Sequence, residues 1–365
     1  MSENQIASRQ VAFLTFALMV GSAIIYMPES IAGRDAWLST LIAVPVGLYI
    51  LFVIITVQLM FPGMNMLDIS ELVLGRFVGR TLNAFYVWLL LIMSIFYLYD
   101  LFIFLDIVLF DLKRYVHYGI FILLAAYCLY KGINAVTRLV ELLVWIIILF
   151  LFLGIFISMI CCSQFSYLLP VLADWRPVMA GSLYAANWPF AQVSVLIMYF
   201  PYVSDLTGNR RTIYTWYLMG ALILIIRSVL IISILGVEIT RFSRHPVYEA
   251  LRLLQVGTFE RIDLAFFALL FLTGFFALLV CYQSLVIGLQ KLMDRSESRY
   301  LILPVGLLLV VLTSYMLAAD VEVFPLQVQV LPFHTLPIHI LYPSIILIAS
   351  KIHQKRKATA KTAAR

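Results

Sequence analysis

Charged residues are scarce in this sequence. Only 12% of its 365 residues are Asp, Glu, Lys or Arg, whereas 64% are hydrophobic and the mean hydropathy is +1.03. A soluble domain carries about a quarter charged residues, so the composition leaves no room for one. Apolar runs of about 20 residues, long enough to cross a bilayer, recur along the whole chain. The composition therefore predicts a single integral membrane domain over residues 1–365.

Cysteines are few and carry no recognisable chemistry. Cys128, Cys161, Cys162 and Cys281 all lie in or beside apolar runs, and their spacing is not that of a metal site. They are interpreted as small apolar filler and not as a redox pair.

Catalytic motifs are absent as well. The sequence contains no HExxH, no GxSxG and no P-loop. Two of the five histidines, His334 and His339, lie five residues apart around Pro337 and do not share a helical face. The sequence therefore predicts neither an enzyme nor a cofactor or metal site.

Ten membrane spans are predicted, all of them helices, because backbone groups in lipid must be bonded within the span. Their approximate bounds are 11–31, 36–60, 82–110, 116–130, 139–162, 183–203, 212–236, 262–288, 300–318 and 331–350.

An even number of spans places both termini on one side of the membrane. Sixteen of the 25 Lys and Arg residues fall on that side, six of them in a basic tail over 351–365. The positive-inside rule therefore predicts cytoplasmic termini. The tail is expected to contact anionic lipid, and nothing indicates nucleic acid.

The longest outer loop contains an amphipathic stretch. In HPVYEALRLLQ, Val247, Leu251 and Leu254 recur at helical spacing, and Pro246 suits the first turn of a helix. This helix is expected either to cover the bundle or to act as a lid over an outer vestibule.

The first span is interrupted by residues that an anchor would not need. VGSAIIYMPES places Gly21, Ser22 and Ala23 in mid-span and follows them with Pro28 and Glu29. Glycine supports close helix packing and proline a simple kink. The alternative is a functional break that exposes backbone groups.

The sixth span is interrupted in the same way. Asn187, Pro189 and Gln192 fall within its apolar run, together with Phe190 and Ala191. Spans one and six hold corresponding positions in two five-span halves, repeat 1 over about 11–162 and repeat 2 over about 183–350. Such a pair of interrupted spans indicates a central binding site in an inverted-repeat transporter fold.

Two broken helices can bind a zwitterion without charged side chains. Free N–H groups at a helix N-terminus attract a carboxylate, and freed carbonyls hold an ammonium group. Gly21, Ser22, Ala23, Asn187, Phe190, Ala191 and Gln192 are therefore the candidate ligand contacts. A leucine at position 21 is expected to abolish the ligand response while largely sparing folding.

Ionisable residues inside the spans are few, and such residues are functional candidates. Asp100 lies in span three, Arg227 in span seven, and Glu29 just after Pro28. Asp100 and Arg227 could pair as a structural clamp, or one of them could face the pocket. Glu29 could line the outer entrance or mark the interface. All four residues are candidates for a structural or gating role.

Several stretches together resemble the B subunit of Ger-type spore germination receptors, in the amino acid–polyamine–organocation superfamily. They are ASRQ at 7–10, GSAIIYMPES at 21–30, FPGMNMLDISELVLGRFVGR at 61–80, LLPVLADWRPVMAGSL at 168–183, WPFAQVSVLIMYFPYV at 188–203 and HPVYEALRLLQVGTFERID at 245–263. The resemblance covers nearly the whole chain in order and spacing.

The resemblance implies a LeuT-like fold in which span three also lines the pocket, which makes Tyr97 a candidate ligand contact. In the same fold, a hydroxyl on span eight at Thr273 could coordinate sodium, or it could bond its own helix backbone. Many relatives are expected to carry Glu where this sequence has Gln192, and a neutral amide cannot be a counter-ion or a proton carrier.

The resemblance further implies a function and a place. The chain is expected to sense amino acids or similar germinants in the spore inner membrane, in a complex with an A subunit and a lipoprotein C subunit. A secondary amino-acid transporter and a packing or channel-forming subunit are the alternatives. The missing carboxylate at position 192 favours sensing over coupled transport.

Overall fold

A computed structural model describes residues 5–106, 114–161, 164–253, 262–319 and 330–363. In these ranges the chain forms twelve α-helices. They are α1 (Ser8–Ile25), α2 (Ala36–Met60), α3 (Met66–Leu74), α4 (Arg76–Asp106), α5 (Arg114–Tyr130), α6 (Ile133–Cys161), α7 (Trp175–Asn187), α8 (Leu206–Phe242), α9 (Pro246–Arg252), α10 (Ile262–Leu292), α11 (Arg299–Ala318) and α12 (Leu331–Ala363). Four 3-10 segments accompany them: Pro28–Asp35, Phe165–Leu168, Phe190–Met198 and Phe200–Tyr202.

Seven helical stretches of the described chain are long and apolar enough to cross a membrane. They are Pro28–Met60, Arg76–Asp106, Ile133–Ile160, Leu206–Phe242, Phe267–Leu292, Arg299–Ala318 and Leu331–Thr359. Two shorter helices, Ser8–Gly21 and Tyr118–Tyr130, are also apolar. The predicted all-helical, polytopic membrane architecture is confirmed at this level.

Helix bounds follow the sequence closely where local signals are strong. The predicted span 36–60 coincides with α2. The last helix runs past 350 to Ala363, so most of the basic tail is helical. The sequence reading missed α3, whose N-terminus is capped by the Asn65 side chain accepting from the Leu67 N–H at 2.9 Å.

The first helix lies at the centre of the bundle. Every residue from 11 to 20 is buried, and α1 packs against α6, α8, α10 and the 3-10 segment Phe190–Met198. The helices expected to line a pocket, namely α1, α4, the sixth span and α10, are therefore neighbours.

The amphipathic helix predicted within HPVYEALRLLQ is α9, with Pro246 in its first turn as predicted. Tyr248, Ala250 and Leu251 are buried where α9 packs on α1, α8 and α10. Leu254, the third residue of the predicted apolar face, lies outside the described residues. This packing places α9 against one end of the bundle, and both a cover and a lid remain predictions for it.

Candidate functional site

The break in the first span begins at Tyr26, five residues after Gly21. Helix α1 continues through Ile25, and the backbone leaves the helix at Tyr26 (φ −129°, ψ 142°) and Met27 (φ −120°, ψ 78°). Pro28 then opens a 3-10 segment. Proline lacks an N–H and disfavours the helical conformation in the residue before it, which accounts for this position. We call Tyr26–Met27 the first break.

Gly21 lies within regular helix, where it allows α1 to approach α10. A Cβ at Gly21 would lie 2.4 Å from the carbonyl oxygen of Thr273. The expectation that a leucine at 21 would spare folding is therefore wrong, because that side chain meets backbone.

Ala23 is also buried, and the side chain of Ser22 lies outside the described part of the structure. The Thr273 hydroxyl donates to the Leu270 carbonyl at 2.8 Å, within its own helix.

The first break is closed by a buried arginine from α8. Arg227 donates through Nη1 to the carbonyl oxygen of Ala23, which the end of α1 leaves free, and pairs through Nη2 with Glu29. The Ser228 hydroxyl donates to the same carboxylate at 2.8 Å. Glu29 is 1% exposed and Arg227 8%. The carbonyl of Ala23 and the carboxylate of Glu29 are thus held by the protein itself.

The ion pair bears on the predicted partner of Arg227 and on the predicted position of Glu29. Arg227 pairs with Glu29 and not with Asp100, and Glu29 is buried instead of lining an entrance. Tyr26 lies near enough to Asp100 and to Arg244 to interact electrostatically with each of them. Sequence reasoning could not assign these partners, because each pair joins helices far apart in the chain.

The second break interrupts the sixth span at Trp188 and Pro189. Helix α7 ends at Asn187, Trp188 is extended (φ −136°, ψ 108°), and a nine-residue 3-10 segment runs from Phe190 to Met198. All of residues 185–200 are buried. Long 3-10 runs are uncommon and often mark functional hinges. The predicted interruption of this span is therefore present at the predicted proline.

Two candidate ligand contacts meet at the second break. The Tyr97 hydroxyl of α4 donates to Oε1 of Gln192, and the ring of Tyr97 lies 4.9 Å from that of Trp188. Gln192 is wholly buried, and its Nε2 has no hydrogen-bond partner among the described residues. An unpaired buried N–H donor carries a desolvation cost.

The remaining candidate residues of the sixth span, Asn187, Phe190 and Ala191, contact other parts of the protein. Phe190 and Ala191 are buried in the core, and a Cβ on Gly47 of α2 would lie 2.6 Å from the Phe190 carbonyl oxygen. Asn187 Oδ1 accepts from the Thr335 hydroxyl of α12 at 2.7 Å.

Residues of α12 reach the second break and were missed in the sequence. His339 is buried, and its Nδ1 lies 2.6 Å from the Ser194 hydroxyl. A lone histidine and threonine in the last apolar span were the available signal. Neither residue forms a recognisable motif with its neighbours in sequence.

The end of the bundle beside α9 carries a charged and aromatic cluster. Arg244 donates to the Tyr99 hydroxyl at 2.8 Å and lies 5.4 Å from the centre of that ring. An open cavity of about 550 Å³ adjoins it, lined in part by Glu238, His245 and Glu249.

The opposite end is closed by the N-terminal segment. Ile6 exchanges backbone hydrogen bonds with Tyr202 and Ser204, just after the sixth span. The Ser8 N–H donates to Oδ1 of Asp205 at 2.6 Å. Burial alone would raise the pKa of the Asp205 carboxyl, but hydrogen bonds from Ser8 and Asn209 lower it below its usual value.

The bundle of long apolar helices defines a polytopic helical membrane protein. A family model described as spore germination protein matches residues 5–321. The chain belongs to this family of spore germination proteins. It is also 23% identical to spore germination protein KB of Bacillus subtilis (strain 168) over 367 aligned residues, which cover 99% of this chain and 98% of that protein.

Proposed function

We propose that this chain is the nutrient-sensing membrane subunit of a spore germination receptor. It binds a small, mostly uncharged amino acid between α1, α4, the sixth span and α10, and passes the signal to partner subunits. The observation that carries this proposal is the buried Gln192 amide, whose Nε2 is unpaired among the described residues beside Tyr97 at a helix break.

The chemistry of the second break suits an amino acid. Gln192 Nε2 can donate to a ligand carboxylate, while Tyr97 holds the other end of the amide in place. The neutral amide requires no charged ligand partner. The aromatic rings of Tyr97 and Trp188 supply an apolar wall for a small side chain.

The form of the two breaks supports the inverted repeat. Each break follows an α-helix, contains a non-helical residue next to a proline, and continues as a 3-10 segment. Adding the two shorter apolar helices and the broken span 175–202 to the seven long spans gives ten. We therefore propose a LeuT-like arrangement with repeat 1 over about 11–162 and repeat 2 over about 183–350.

The setting follows from charge and family. The distribution of basic residues supports cytoplasmic termini. Membership of the family, together with the resemblance, supports residence in the spore inner membrane with an A subunit and a lipoprotein C subunit. A ligand that prefers one of two bundle conformations would shift their populations, which those partners could read.

A secondary amino-acid transporter is the alternative. Gln192 cannot carry a proton, and the N-terminal segment is fixed to Tyr202, Ser204 and Asp205 at one end of the sixth span. Both observations favour sensing. Uptake of a labelled amino acid into vesicles that contain the purified chain would favour transport.

The test measures ligand binding to the purified, full-length chain. Each of the twenty standard amino acids, and a set of sugars and nucleosides, is added in turn, and a rise in the melting temperature reports binding. Gln192→Ala should abolish or alter the ligand preference without lowering protein abundance. Gln283→Ala is the matched control, because Gln283 is also buried and also accepts from a tyrosine, Tyr199, at 2.8 Å. Equal ligand responses in the two variants would reject the assignment of Gln192.

A further inference from the structure

The last membrane helix carries a polar stripe on one face. Thr335, His339 and Tyr342 lie four and three residues apart, a spacing that places them on the same side of α12. All three side chains are buried. Three polar residues on one face of a membrane helix require partners.

The partners of the first two residues lie on either side of the second break. Thr335 donates to Oδ1 of Asn187, the last residue of α7, at 2.7 Å. One turn further along, His339 Nδ1 lies 2.6 Å from the Ser194 hydroxyl in the 3-10 segment. A single turn of α12 therefore bridges the discontinuity of the sixth span.

Ser194 is held a second time through its backbone. The Tyr86 hydroxyl of α4 donates to the Ser194 carbonyl oxygen at 2.8 Å, and the Tyr86 ring stacks on Tyr342 at 4.4 Å. Tyr342 in turn donates to Oδ1 of Asn83 at 2.9 Å. The position of α12 is thus tied to the 3-10 segment that carries Gln192.

The same helix leads away from the break to the basic end of the chain. Its 33 residues extend roughly 50 Å at the rise of an α-helix. Beyond Ser350 it carries the exposed residues Lys351, Lys355, Arg356 and Lys357. Pro337 and Pro343 flank His339, and each removes an intrahelical hydrogen bond where α12 contacts the sixth span. Because of these lost hydrogen bonds, we expect α12 to bend most easily between the two prolines.

We propose that α12 is the output element of the receptor, and that His339 is the positioning residue through which the state of the second break reaches the basic end of the helix. The proposal rests on the proposed function, because it needs a ligand at that break. It predicts that binding and response can be separated by changes in α12.

The first experiment compares three substitutions of His339 in the full-length chain. Asn places an amide near the position of Nδ1 and keeps the bond to Ser194, whereas Gln reaches the position of Nε2 and Leu makes no polar contact. For each variant, ligand binding is measured by the thermal shift with the amino acid that stabilises the wild type most. The response is measured as germination of spores that carry the variant, at equal membrane abundance.

His339→Leu and His339→Gln should retain binding and raise the concentration for half-maximal germination about tenfold, a change typical of coupling between sites. His339→Asn should respond like the wild type. Equal responses in all three variants, or loss of binding in step with loss of response, would overturn the output role. If the wild type itself binds none of the amino acids, it is the proposed function that fails.

Ser194→Ala provides a second route if a His339 variant fails to fold. It removes the same hydrogen bond with little change in volume, and its effect on response should not add to that of His339→Leu. Full additivity of the two effects would contradict a shared contact.

A change far from the break tests the output end itself. Gln354 is exposed at the basic end of α12, so Gln354→Pro interrupts the helix without touching the bundle, and Gln354→Ala is the matched control. Gln354→Pro should bind normally and respond weakly. A normal response in that variant would show that the signal does not leave through α12.

Discussion

Arg227 and Glu29 form a buried ion pair that joins α8 to the segment following α1. The same guanidinium holds the carbonyl oxygen of Ala23 that the end of α1 releases. Pro28, Glu29 and Arg227 therefore form the first break together. Pro28 ends the helical path, and the pair satisfies the Ala23 carbonyl oxygen and Oε1 of Glu29 within the membrane.

Removal of either charge should destabilise the protein strongly. Arg227→Ala or Glu29→Ala leaves its partner charged and buried, which costs about 3–5 kcal/mol. Thermal unfolding of the purified variants measures this. Arg241→Ala, an exposed position on the same helix, is the control and should change the melting temperature little. A similar small change in all three variants would mean that the pair does not hold the break.

Gly21→Ala should weaken the contact between α1 and α10. The new Cβ would meet the Thr273 carbonyl oxygen at 2.4 Å, and forced separation of packed helices costs about 1–3 kcal/mol. Gly220→Ala is the matched control, because its Cβ would meet no heavy atom closer than 3.5 Å, on Phe16. The prediction fails if both glycines accept alanine equally well in thermal unfolding.

Tyr97→Phe should weaken ligand binding by about 1 kcal/mol, or roughly fivefold in Kd, because Gln192 loses the hydroxyl that fixes its amide. Titration of the purified chain with the amino acid that stabilises it most gives the value. Tyr199→Phe removes the corresponding bond to Gln283 and should leave Kd unchanged. An equal loss in both variants would indicate a general packing effect.

Asp205→Ala should release the N-terminal segment. The Ser8 N–H then loses its acceptor, and hydrogen exchange of residues 5–10 should accelerate, with Asp205→Asn intermediate. Because the pKa of Asp205 is lowered in the folded protein, its contribution is present above about pH 4 and is lost as the pH falls further. Unchanged exchange in Asp205→Ala would show that the carboxylate does not hold this segment.

Much of the helix pattern could be predicted from local sequence. The apolar run 36–60 gave the bounds of α2, and prolines marked both breaks. The position of the first break could not be predicted from the sequence, because a helix can be interrupted either at Gly21 or before Pro28. Only the three-dimensional packing shows that Gly21 faces Thr273 and that the helix continues to Ile25.

The partners of the site residues could not be predicted. The Arg227–Glu29 contact joins residues 198 positions apart, and the His339–Ser194 contact joins residues 145 apart. Nothing in a single sequence relates such positions. Tyr97 and Gln192 were both candidates, but their mutual hydrogen bond depends on the orientation of α4 against the sixth span.

Hydrogen exchange with and without the bound amino acid tests the central claim most directly. Ligand at the second break should slow exchange of the amides in residues 187–198, and this protection should be lost in Gln192→Ala but kept in Gln283→Ala. Protection confined to residues 238–249, beside the open cavity, would contradict a site between the broken spans and place the ligand at the α9 end of the bundle.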